Sequence, residues 1–128
     1  MKTYYTIAFD EAQSLLMITT FGFWSLPTTV AFSTELLARG TALRIKHGRF
    51  CTLADLRQAA IQPAPVVDAL AAMVPKALKL TSAPIAAVAA STLAKMQTER
   101  YLVGPNCRTF LDCDEAKRWL NDPVGMTA

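Results

Sequence analysis

Five short runs rich in β-branched, aromatic or small apolar residues alternate with segments of helical period, and this alternation limits the possible folds more than any other feature of the chain. Residues 3–9, TYYTIAF, and 15–21, LLMITTF, flank the polar connector DEAQS, whose length suits a hairpin. The later runs, 50–56 (FCTLADL), 84–90 (PIAAVAA) and 107–111 (CRTFL), are each reached through a helical segment. A strand reached through a helix runs parallel to its neighbour by a right-handed crossover. The order β-β-α-β-α-β-α-β-α follows: an α/β fold with a mixed sheet of about five strands and packed helices.

The helical segments carry their own punctuation. Gly22 and Pro27 break the chain around Phe23 and Trp24. From residue 28 to about 47, Phe32, Leu36, Gly40 and Leu43 recur at helical spacing, leaving Glu35, Arg39 and Lys46 for the wet side. Pro27 suits the first turn and Gly48 the left-handed C-terminal position. Gly40 costs such a helix about 1 kcal/mol relative to Ala, which a close crossing with the sheet would explain. Residues 57–65 read as a turn, and 66–73 as a helix facing inward through Val66, Leu70 and Met73, ended or kinked by Pro75. Ser91 caps a helix over 92–102 with Leu93 and Met96 inward. Asp112 opens the last helix, with Glu115 three residues on, an inner stripe of Ala116, Trp119 and Leu120, and Pro123 as its stop.

With 128 residues, 52% hydrophobic and 18% charged, the chain suits one domain, 1–128, with its core over about 3–121 and a short tail over 122–128. Disorder and collagen-like structure are excluded by that composition, and 3 Cys are too few for a disulfide scaffold. The formal charge is +3, but Arg39, Arg44, Lys46, Arg49 and Arg57 face the single acid Asp55 within one stretch. Such a stretch is either a solvated surface or an anion-attracting patch. The longest apolar run, 83–90, falls well short of the roughly 20 residues that span a bilayer, and MKTYYTIAFDEAQ lacks a signal-peptide core. A cytoplasmic protein is expected.

Catalytic chemistry finds little material. The one His, His47, precedes Cys51 by four residues across a helix-to-strand change, and a Cys–His pair would need hydrogen-bond reach and an orienting group. Cys107 and Cys113 have no zinc spacing. Asp10-Glu11 falls in a hairpin loop, and Asp112, Asp114 and Glu115 at a helix start, where negative charge is favourable for structural reasons. The glycines are isolated, and no serine lies in a nucleophile elbow. No enzyme, metal or cofactor is expected. Phe50, alone among the basic residues, is too little aromatic surface for nucleic acid. Phe23 and Trp24 cover the sheet edge or the base of a helix or, if exposed, would mark a partner or lipid contact.

Four stretches, FDEAQSLLMITTFGFW, FCTLADLRQAAIQ, TSAPIAAVAASTLAKMQTERYL and CRTFLDCDEAKRWL, together resemble the SpoIIAA-like fold shared by STAS domains and small STAS-like bacterial proteins. The resemblance covers about residues 3–121 and implies a regulatory binding module without chemistry of its own. In the anti-sigma-factor antagonists of this group, an Asp-Leu-like strand end leads into a loop and a helix start bearing a phosphorylatable Ser. Asp55-Leu56 match, but the acceptor region reads Gln62-Pro63-Ala64-Pro65, and no Ser or Thr occurs between Thr52 and Thr81. Arg57, Gln58 and Gln62 remain there as candidate contacts to a protein partner or small anion, beyond the carboxyl end of a parallel strand. Arg57 could equally pair with Asp55. Two alternatives stand beside this reading: an internal cavity for a lipid-like ligand, with room left by the small residues of IAAVAA, and a structural homodimer through edge strands and the aromatic run at 21–24.

Overall fold

A computed structural model describes residues 3–121, so the expected stop at Pro123 and the tail 122–128 lie outside the described residues. The chain folds in the expected order: β1 (Tyr5–Asp10), β2 (Leu15–Gly22), α1 (Leu26–His47), β3 (Cys51–Ala59), α2 (Ala64–Leu78), β4 (Ile85–Val88), α3 (Thr92–Tyr101), β5 (Cys107–Phe110) and α4 (Cys113–Asn121). The five strands lie side by side in sequence order, with β1 antiparallel to β2 and every later neighbour parallel.

Strand alternation sorts the side chains to two faces. Leu16 and Ile18 of β2 join Ile7, Phe32, Val66 and Leu70 in a core beneath α1 and α2. Leu15, Leu53, Ala86 and Val88 point the other way and pack under Ala116 and Leu120 of α4. Helices α1, α2 and α3 therefore share one face, while α4 covers β3–β5 on the other.

Local signals set the helix ends. Ser25 caps α1 by accepting from the Thr28 N–H at 3.3 Å, with Pro27 in the first turn. Gly48 closes that helix at φ 78°, donating to the Arg44 carbonyl at 3.0 Å. Asp112 accepts from the Asp114 N–H at 3.0 Å at the start of α4.

Several boundaries differ from expectation, each for a tertiary reason. β3 runs on through the expected turn to Ala59, pairing with Phe21 and Gly22 after a bulge. α2 continues past Pro75 to Leu78. Proline inside a helix costs about 3 kcal/mol. Val74 is buried and Ala77 and Leu78 pack on the core, and burial of Val or Leu is worth about 1.5–3 kcal/mol each. Gly40 makes its close approach to Leu80 after α2 and not to the sheet: a Cβ there would sit 2.8 Å from Leu80 Cδ1. α3 is rotated from the expected face. Leu93 and Met96 are exposed, whereas Thr98 is buried and Ala94, Gln97 and Tyr101 are half-buried.

Candidate functional site: the carboxyl end of the sheet and the cavity beneath it

Gln62 organises the end of the sheet where β2 and β3 finish. Its Oε1 accepts from the Trp24 N–H at 2.8 Å, and its Nε2 donates to the carbonyls of Gly22 and Ala60, both at 3.0 Å. Its main chain is engaged as well. The Gln62 N–H donates to Gln97 Oε1 and Gln97 Nε2 donates to the Gln62 carbonyl, each at 2.9 Å. One side chain thus ties the β2–α1 turn to the β3–α2 loop, and α3 clamps that loop from above.

Of the aromatic pair, Phe23 is 60% exposed. Trp24 is not: it is 3% exposed, which corrects the expectation of an exposed pair. Its Nε1 donates to the Tyr4 carbonyl at 3.1 Å, and its ring lies 5.0 Å from Phe32 and 6.0 Å from Tyr5, so both its apolar body and its polar edge are satisfied inside. Phe23 has company at the surface. Ile61 precedes Gln62, and Leu93 and Met96, 64% and 56% exposed, stand on the outer side of α3. Each of these four exposed apolar residues lies beside a bonded member of the junction in the chain: Phe23 next to Trp24, Ile61 next to Gln62, Met96 next to Gln97 and Leu93 one helical turn before it.

The polar candidates are differently disposed. Arg57 grips Asp55 with two parallel bonds, Nε to Oδ1 at 2.9 Å and Nη2 to Oδ2 at 2.8 Å, and its backbone N–H adds a third to Oδ1 at 3.1 Å. Hydrogen bonding from Arg57 holds the Asp55 carboxyl below the usual carboxylate range, and the same pairing raises the guanidinium above its own. Gln58 is exposed. At the start of α2, Pro65 has no N–H, and those of Val66 and Val67 donate to the Pro63 carbonyl at 3.0 and 3.1 Å. That first turn offers an anion few donors.

The basic stretch does not converge. Arg39 donates to the Ile7 carbonyl on β1, and Arg44 to the Lys79 carbonyl at 2.5 Å. Arg49 and Arg57 lie at opposite ends of β3, roughly 25 Å apart at strand rise. His47 packs 4.9 Å from the Phe9 ring, with Nε2 3.8 Å from Glu11. Burial pushes the Cys51 thiol up and that of Cys107 to about 11. Among the described residues, no three His, Cys, Asp or Glu side chains group as metal ligands, and no helix is long and apolar enough to cross a membrane.

Between the sheet and α1–α3 lies an apolar cavity of about 140 Å³. Leu16, Ile18 and Thr20 of β2, Ala54 of β3 and Ala87 of β4 form its floor. Gln62 and Gln97 line it too, which places it directly beneath the junction they make. Thr20 was not singled out in the sequence. The signal was there in the alternation Leu16, Ile18, Thr20, where a polar residue takes an inward position.

No protein-family model and no curated protein matches the chain. Solved structures do. An anti-sigma factor antagonist from Mycobacterium paratuberculosis superposes with a TM-score of 0.64 at 16% identity, over 92% of this chain and 95% of the other. A DUF3478-family protein of SpoIIAA-like fold from Shewanella loihica gives 0.67 at 17% identity, over 94% and 98%. The anti-sigma factor antagonist SpoIIAA, in its unphosphorylated form, gives 0.57 at 9% identity, over 92% and 98%. With its five-stranded sheet, three helices on one face and α4 on the other, the chain has the SpoIIAA-like fold.

Proposed function

We propose that this chain is a non-enzymatic regulatory module that binds a protein partner at the carboxyl end of its sheet. The observation that carries the reading is the set of exposed apolar side chains, Phe23, Ile61, Leu93 and Met96, on the segments that the Gln62 hydrogen bonds tie together. Rigidly seated apolar anchors with a polar rim are what a protein interface requires. Arg57 and Gln58 supply that rim, and Gln62 acts behind it as the support of the loop. Two of the similar folds are anti-sigma factor antagonists, so the partner proposed is an anti-sigma factor. Docking here is not switched by a phosphate on the β3–α2 loop, because positions 53–80 hold no Ser or Thr.

The test is calorimetric titration of the protein against the purified anti-sigma factors of its host. One of them is expected to bind, with Phe23→Ser plus Met96→Ser weakening the complex at least about tenfold. Ile45→Ser, an 82% exposed position near the far end of α1, serves as the control and leaves binding unchanged. Failure of every anti-sigma factor to bind, or a double variant that binds as tightly as the unaltered protein, overturns the reading.

A second reading, a sensor of a small hydrophobic ligand, is favoured by one observation: the apolar cavity between the sheet and α1–α3.

A further inference from the structure

Thr20 is 6% exposed, and its Oγ1 is the one buried side-chain oxygen or nitrogen without a hydrogen-bond partner among the described residues. It stands on the helix-facing side of β2, in the wall of the cavity. Two other threonines of that wall donate elsewhere: Thr98 Oγ1 to the Ala94 carbonyl and Thr81 Oγ1 to the Phe50 carbonyl, each at 2.9 Å. Both nitrogens of the Gln62 and Gln97 amides are likewise committed to carbonyls. An unpaired buried hydroxyl is costly, and a protein that folds around one leaves it a partner to acquire.

Size narrows that partner. A cavity of about 140 Å³ is close to the roughly 150 Å³ of an engineered apolar cavity that takes up benzene. A C16 acyl chain would not fit wholly inside it. A water molecule needs two to four polar partners, and the wall is mostly apolar with the donors of Thr81, Thr98, Gln62 and Gln97 already engaged.

We propose that this cavity binds a ring-sized, largely apolar molecule carrying one oxygen that accepts a hydrogen bond from Thr20 Oγ1, the chemistry of a simple phenol or cyclic alcohol. The proposal rests on the ligand-sensing reading above and names its ligand class. The hydroxyl supplies orientation and discrimination, and the apolar walls supply most of the affinity.

Two probes of equal girth, phenol and benzene, separate these contributions in an NMR titration of the full chain. Both are expected to shift the resonances of cavity residues such as Ile18, Ala87 and Val74. Phenol should bind about 3- to 10-fold more tightly, the worth of one neutral hydrogen bond. Thr20→Val keeps the side-chain shape and removes a hydroxyl that has no partner, so it folds and is more stable than the unaltered protein. In that variant the preference for phenol should vanish while benzene affinity stays. No binding of either probe, or a preference that survives Thr20→Val, overturns the proposal. A long-chain lipid retained on gentle purification, seen by native mass spectrometry with no response to phenol, overturns the ligand class while keeping the sensing reading.

Discussion

Gln62 and Gln97 exchange two hydrogen bonds, the Gln62 main-chain N–H and carbonyl each meeting the Gln97 amide at 2.9 Å. A side-chain amide here takes the place of a neighbouring strand, satisfying a loop that leaves the sheet after β3. The arrangement frees the Gln62 side chain to act in the opposite direction, on Trp24, Gly22 and Ala60. The loop that carries the proposed docking surface is thus fixed from two sides by neutral amides.

Gln62→Ala removes three side-chain hydrogen bonds and strands part-buried main-chain groups, so it should lower stability by about 2 kcal/mol in urea unfolding. Gln97→Ala should cost a similar amount, because it deprives both main-chain groups of Gln62 of their partners. A loss below about 0.5 kcal/mol for both would show that the loop is held by something else.

The Asp55–Arg57 pair makes a pH-dependent contribution whose sign can be worked out. Hydrogen bonds from Arg57 lower the Asp55 pKa in the folded state. A depressed carboxyl stabilises the fold above its unfolded pKa of about 3.9, and that contribution fades as pH falls toward the folded value. The unfolding midpoints of the unaltered protein and Asp55→Asn should therefore differ at pH 7 and converge below about pH 4. The effect is small, since Arg57 is half exposed. A difference that widens on acidification would contradict the assignment.

Burial raises the Cys107 thiol to about 11, leaving little thiolate at neutral pH. Cys107 should react with iodoacetamide in the folded protein at pH 8 far more slowly than in urea, at least tenfold on its tryptic peptide by mass spectrometry. Equal rates in the two states would mean that the β5 end opens on the labelling timescale.

Much of the fold was legible in the residues because local rules and tertiary packing agreed. The run–helix–run alternation predicted the topology, and Gly48, Ser91 and Asp112 stand at helix ends where cap chemistry requires them. The pairing of Arg57 with Asp55 could be weighed from spacing alone, since residues two apart on one strand share a face. What failed were particular inferences that needed the neighbour across space. Trp24 followed Phe23 in an aromatic run, yet the pleat and the turn sent one outward and the other onto Phe32. Leu93 and Met96 had the hydrophobicity of an inner face, but the amide exchange with Gln62 turned Gln97 and Thr98 inward instead.

The sequence by itself determined the order of elements, their approximate ends, and the absence of a hydroxyl on the β3–α2 loop, because these depend on periodicity, caps and residue identity within a few positions of one another. Only the tertiary structure decided which face of α3 is buried, that α2 runs through Pro75, and that Thr20 is left unpaired beside a cavity. Those outcomes turn on the sum of many weak contacts and on the volume left between elements, and neither quantity is written at any single position of the chain.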